Sequence, residues 1–209
     1  MSRTALTSAI VVALSCFAGI NLHAADSDGW ISLFDGKSLA GWKASDKPGS
    51  FHVKDGVIVV NGPRSHLFYV GKVKNHNFKD FDLKVDVKTT PGSNSGIYFH
   101  TKYQPTGWPK IGYECQVNQT HTDPKKSGGL YGVCDVYKTP VKDNEWYTQE
   151  IIVKGKHIIT KINGKTMVDY VEPDNVQGTR KLSSGTFAIQ AHDPKSKVFI
   201  KNIRVKPLD

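Results

Sequence analysis

Three short segments concentrate the side chains able to do chemistry: Gly96-Ile97-Tyr98-Phe99-His100, Tyr113-Glu114-Cys115-Gln116-Val117-Asn118 and Phe187-Ala188-Ile189-Gln190-Ala191-His192. On extended backbone, successive side chains point to opposite faces. Ile97, Phe99, Tyr113, Cys115, Val117, Phe187, Ile189 and Ala191 then share a core face. Tyr98, His100, Glu114, Gln116, Asn118, Gln190 and His192 share the other. A carboxylate and two imidazoles can move protons. The amides read hydroxyl groups, and Tyr98 and Trp108 offer flat surfaces for the C–H side of a sugar ring. Any antiparallel sheet with one wet face would also place polar residues there. Elsewhere in the chain, however, the outward positions are rich in Lys and Asp, and here they are not.

The elements that must position these residues read as strands. Phe81-Asp82-Leu83-Lys84-Val85-Asp86-Val87-Lys88 alternates cleanly, and no long stretch carries a helical period. Further strands are expected over 50–53, 57–60, 67–70, 95–101, 112–118, 129–136, 146–153, 157–162, 186–192 and 197–205. Asp55-Gly56 and Asn163-Gly164 are dipeptides that suit tight hairpins. Many short strands with frequent turns predict an all-β, two-sheet antiparallel sandwich. Irregular stretches over 119–128 and 172–184 are long enough to flank a site.

The N-terminus sets the expected compartment. Arg3, an apolar run from Ala5 to Ile20 and small residues at Ala24 and Ala25 form a secretory signal peptide over 1–25. The run is short for a bilayer span, which needs about 20 apolar residues. Ala13-Leu14-Ser15 before Cys16 fits a lipoprotein signal poorly. Residues 26–209 form one domain, exported to the periplasm or beyond, with no membrane span after cleavage. Processing leaves Cys115 and Cys134, which either pair as a disulfide or remain as buried thiols.

The chain carries 28 Lys and Arg against 19 Asp and Glu, a net charge of +9. Scattered lysines, only three arginines after processing (Arg64, Arg180 and Arg204) and no nucleic-acid motif argue against nucleic acid as a partner. No phosphate loop, nucleophile elbow or zinc-type spacing is present. His121 and His192 with Glu114 or Asp123 could approach a metal, but their spacing is not diagnostic, so no metal or other cofactor is assigned as required. Loop oxygens leave a Ca²⁺ site open.

The ordered motifs Leu33-Phe34-Asp35-Gly36-Lys37-Ser38-Leu39-Ala40-Gly41-Trp42, Phe51-His52-Val53-Lys54-Asp55-Gly56, Asn94-Ser95-Gly96-Ile97-Tyr98-Phe99, Gly112-Tyr113-Glu114-Cys115-Gln116, Glu145-Trp146, Ile162-Asn163-Gly164-Lys165 and Ile189-Gln190-Ala191-His192 resemble those of the DUF1080, or 3-keto-disaccharide hydrolase, domain family. The resemblance covers nearly all of the mature chain. It implies a concanavalin A-like jelly roll and cleavage of saccharides, with the sugar on the polar concave face. There Glu114 or His192 would act as base and His100 as acid or enolate donor. Gln116, Gln190, Tyr98, Asn118 and Trp108 would hold the ligand. Many members carry Arg where this chain has His100. The competing expectation is a carbohydrate-binding module of the same fold without turnover.

Overall fold

The computed structural model describes residues 25–208. The expected signal peptide therefore lies, apart from Ala25, outside the described residues. Thirteen strands build the described chain: β1 (Ile31–Ser32), β2 (Trp42–Ala44), β3 (Phe51–Lys54), β4 (Val57–Asn61), β5 (Ser65–Tyr69), β6 (Phe81–Thr89), β7 (Asn94–Thr101), β8 (Tyr113–Asn118), β9 (Tyr147–Lys154), β10 (His157–Ile162), β11 (Lys165–Val171), β12 (Thr186–Ala191) and β13 (Lys197–Pro207). All pairings between them are antiparallel. One sheet runs β11-β10-β9-β6-β13-β4-β3, with β1 also on β13; the other runs β2-β5-β12-β7-β8. The two-sheet sandwich is the architecture expected from the alternation.

The core forms where the inward faces of the two sheets meet. Phe81, Leu83, Val85 and Val87 of β6 are buried, while the residues between them are half-exposed. From the smaller sheet come Ile97, Phe99, Tyr113, Val117, Phe187 and Ile189. Phe81 meets Phe99 and Phe187 edge to face at 5.9 and 4.9 Å. Each such side chain withdraws enough apolar surface to stabilise the fold by about 1.5–3 kcal/mol. Asp55-Gly56 joins β3 to β4 and Asn163-Gly164 joins β10 to β11, with positive φ at all four residues, as such hairpins require.

Residues 129–136 depart from the strand expectation. Gly128 and Gly132 adopt φ of 88° and 70°, which breaks any extended run. The segment instead folds along the free edge of β8. Gln116 N donates to Gly129 O, Gly128 N to Gln116 O, Ser127 N to Asn118 O and Tyr131 N to Glu114 O. Cys115 lies on β8 and Cys134 within this edge cap, with Leu130 bridging to each, and both are free thiols. Cys115 points into the core beneath Gln149, whose Nε2 donates to its Sγ at 3.1 Å. Burial pushes its thiol up to about 12.

Candidate active site

Strands β7, β8 and β12 are buried along their whole length on both faces. The inward face meets the core; the outward face is roofed by loops 102–112, 119–136 and 172–185. Between sheet and loops lies a cavity of about 240 Å³. Its floor is Tyr98, Glu114, Gln116 and Gln190, with Asn94 and His192 at one end. Tyr98, Glu114, Gln116, Gln190 and His192, read from alternation, thus line a half-open cleft rather than a flat solvent face.

Cross-strand register fixes the floor. Tyr98 pairs with Glu114, Gly96 with Gln116, and Gln190 with His66. Gly96 lacks the side chain that would otherwise collide with Glu114 Oε1. The carboxyl therefore lies flat across the sheet, where Gln190 Nε2 donates to Oε1 at 2.9 Å and to the Tyr98 hydroxyl at 3.0 Å. Burial raises the Glu114 pKa to about 7; hydrogen bonds from Tyr98 and Gln190 and the nearby Arg180 charge pull the other way without cancelling it. Glu114 consequently holds or yields a proton near neutral pH. Gln190 Oε1 and Asn94 Oδ1 are buried acceptors with no protein partner. Such atoms carry a desolvation cost that a ligand hydroxyl would relieve.

The walls come from the loops. Trp108 stands over the cleft, its ring 5.7 Å from His192 and 5.4 Å from His66. Arg180 reaches in from the 172–185 loop, donates through Nη1 to Tyr131 O and lies over the Tyr131 ring. Tyr131 in turn donates to Asp123 Oδ2 at 3.2 Å. Glu172 anchors the Arg180 loop by accepting from the Tyr113 hydroxyl and from Leu182 N. At the cleft end, His192 Nδ1 hydrogen-bonds Asp193 Oδ2 at 2.8 Å. His66, wholly buried beneath Trp108, has no partner on either ring nitrogen, and burial drives its pKa down to about 4.

Two expected site residues are elsewhere. His100 has φ of 54°, which breaks the alternation at the end of β7 and turns its ring away from Tyr98. It packs edge to face on Phe81 and Phe99, with Nε2 on Lys79 O and Nδ1 accepting from Ser183 N. It ties the 172–185 loop down and does not reach the cleft. Asn118 is buried and used up as a loop brace: Nδ2 donates to Asp123 O and Lys125 O, and Oδ1 accepts from His121 N. The cleft residues that alternation did not reveal are Arg180, Tyr131, Asn94 and Pro109. The long irregular stretches announced that loops would contribute, but not which side chain of each would turn inward.

Among the described residues, His121, His192 and Asp193 bring one potential ligand atom each within 4.8 Å of one another. Glu114 belongs to the floor network and does not join them.

The family model for the 3-keto-alpha-glucoside-1,2-lyase-like domain matches residues 29–206. A 3-keto-disaccharide hydrolase of Bacteroides thetaiotaomicron is 26% identical over 88% of this chain and 80% of its own length. The crystal structure of a provisionally named glycosyl hydrolase from Parabacteroides distasonis is 25% identical and superimposes with a TM-score of 0.74, over 87% of this chain and 95% of that one. A carbohydrate-binding module, CBM66 of Bacillus subtilis, shares the fold at 12% identity with a TM-score of 0.56, over 79% of this chain and 95% of the module.

Proposed function

Because the chain belongs to the 3-keto-alpha-glucoside-1,2-lyase-like family and is a carbohydrate-active protein, we propose that it cleaves the glycosidic bond of saccharides bearing a ketone at C3, by elimination followed by hydration. The observation that supports this most is the buried Glu114 carboxyl, poised near neutral pH beside acceptors that lack protein partners. The cavity is smaller than the roughly 300–1,000 Å³ of drug-sized sites, which suits one sugar ring held closely.

A ketone at C3 acidifies the C2 proton, because the electrons left behind delocalise onto oxygen. With His100 outside the cleft, acid and base fall to Glu114 and His192. His192, oriented by Asp193, takes the C2 proton on Nε2. The enolate then re-forms the C3 ketone, C1=C2 forms, and the C1–O bond breaks with its electron pair on the departing oxygen. Glu114 gives that oxygen a proton. Water next adds across C1=C2: Glu114 carboxylate takes a proton from the water, hydroxide bonds to C1, and the proton on His192 returns to C2. Both residues end as they began. The developing enolate oxygen needs donors, and Arg180 is the cation at hand.

Incubation with plain and 3-keto disaccharides tests this: sugar is released only from the keto forms, and Glu114→Gln abolishes release. Release from plain disaccharides at equal rate would refute elimination. The second reading, a binding module, draws on the same unpartnered acceptors; it requires that wild type bind saccharide without release and that Glu114→Gln keep the affinity.

We place the reaction outside the cytoplasm, on the strength of the N-terminal segment. The mature protein made in a bacterial host should begin at Ala25 or Asp26. The chemistry runs on side chains alone, so a chelator leaves the rate unchanged.

A further inference from the structure

His192, at the end of the cleft, and His121, whose ring packs against it, are held by different kinds of partner. His192 Nδ1 faces the carboxylate of Asp193 at 2.8 Å. That carboxylate also accepts from Lys195 N, Ser196 N and the Ser196 hydroxyl. Burial works against its ionisation, but hydrogen bonds from Ser196, His192 and Lys195 outweigh it and hold Asp193 down at about 2. An ionised carboxylate only accepts, so Nδ1 of His192 carries a proton and the neutral ring presents a lone pair at Nε2.

His121 is bound in the opposite sense. The backbone N–H of Asp123 donates to its Nδ1 at 3.1 Å, and the Asn94 amide nitrogen lies 3.4 Å from the same atom. Both are donors, so Nδ1 must hold the lone pair and the single proton of the neutral ring sits on Nε2. The two rings meet edge to face with centroids 5.5 Å apart. Asn118 fixes the turn that carries His121 by accepting from its backbone N–H at 2.9 Å.

We infer that His121 and His192 form a pair of neutral imidazoles in opposite tautomers, His192 offering an acceptor to the end of the cleft and His121, seated behind Asn94 and His192, a donor that hydrogen-bonds the oxygen on which charge develops when a ligand reaches it. A neutral imidazole is a poor acid but an effective hydrogen-bond donor to an enolate oxygen. His121 therefore stabilises charge and does not surrender its proton, which leaves the proton transfers to Glu114 and His192. The assigned tautomers also account for the His121, His192 and Asp193 cluster without an ion. Asp193 already accepts four hydrogen bonds, and the one lone pair of His121, on Nδ1, is already taken by Asp123 N.

The role of His121 rests on the reading of the cleft as a keto-sugar eliminase; the tautomer pair does not, and the test separates them. In protein labelled with ¹⁵N in its imidazoles, long-range ¹H–¹⁵N correlation spectra above the titration range of histidine should show His121 protonated at Nε2 and His192 at Nδ1. Any other assignment overturns the pair, as does tight Zn²⁺ binding that disappears in His121→Ala. With a 3-keto disaccharide, His121→Ala should lower kcat roughly 100-fold while KM moves little, the size of effect seen when one oxyanion donor is removed. His121→Gln, which keeps an N–H donor, should recover much of the loss. An unchanged kcat in His121→Ala overturns the role. A wild-type protein inert on every keto-sugar defeats the eliminase reading, and the nitrogen spectra alone then uphold or defeat the pair.

Discussion

Gly96 and Glu114 face each other across β7 and β8 such that a single carbon added at position 96 would occupy the space of Glu114 Oε1. Gly96 does not adopt the left-handed backbone that favours glycine, so an alanine is tolerated conformationally there and only the contact is new. Gly96→Ala should displace the carboxyl from Gln190 and cost at least as much turnover as losing the hydrogen bond, with a modest drop in stability of about 1–3 kcal/mol from overpacking. Turnover and urea midpoint together check this; unchanged turnover would show that Glu114 need not lie where it does.

Tyr98 tunes the Glu114 carboxyl. Its hydroxyl hydrogen-bonds Glu114 and holds the carboxyl pKa below where burial alone would set it. As the acid we propose, Glu114 must be protonated, so kcat should decline as pH rises through about 7. Tyr98→Phe removes the hydrogen bond, raises that pKa and should carry the decline to higher pH. A pH–rate profile whose alkaline limb stays in place, or moves down, contradicts the assignment of Glu114 as acid.

Asp193 should matter through His192 and not through contact with the sugar. Asparagine at 193 retains an oxygen for Lys195 N and Ser196 N, yet its amide can donate to Nδ1 and reverse the tautomer of His192. In a comparable carboxylate–imidazole arrangement this change lowers kcat by about 10⁴. Asp193→Asn should therefore lose most of kcat while the urea midpoint shifts little; near-normal turnover would mean that His192 is not the base.

Two buried groups give stability opposite pH dependences. The His66 imidazole takes a proton near 6.5 in the unfolded chain but only near 4 in the fold. The unfolded state binds more protons between those values, so this contribution is lost as pH falls through the window, on the order of 1 kcal/mol per pH unit. Glu114 does the reverse. The fold keeps its proton up to about 7, whereas the unfolded chain releases it near 4.5, so stability is lost as pH rises through that window. Relative to wild type, His66→Phe should gain stability as pH falls from 6.5 to 4. Glu114→Gln should gain as pH rises from 4.5 to 7. Urea melts across the range check both, and a variant-to-wild-type difference independent of pH would remove the corresponding burial argument.

Alternation alone located the floor of the cleft. Tyr98, Glu114, Gln116, Gln190 and His192 were legible because sheet geometry converts spacing of two into a shared face. The same rule misplaced His100, since a positive φ at the end of a strand is a tertiary outcome that spacing does not record. It also put Asn118 on the correct face but could not see that 119–128 would fold back and consume its amide. Arg180 and Tyr131 were hidden for a related reason: their loops have no period, and their directions depend on anchors such as Glu172 to Tyr113, far apart in sequence. Strand β11 was missed because it lies at the sheet margin and carries polar residues at positions that a buried strand would fill with apolar ones. Residues 129–136 have the composition of a strand, and two glycines turn them into something else.

That turn back along β8 has a further effect. Its rungs are main-chain hydrogen bonds, from 116 to 129 and from 131 to 114, so the edge is held without calling on the Tyr131 side chain. An unprotected sheet margin normally invites joining with other molecules and is guarded by charge or proline. Here the chain guards it with its own backbone. The ring of Tyr131, which faces the cleft, can therefore be exchanged without loosening the sandwich beneath.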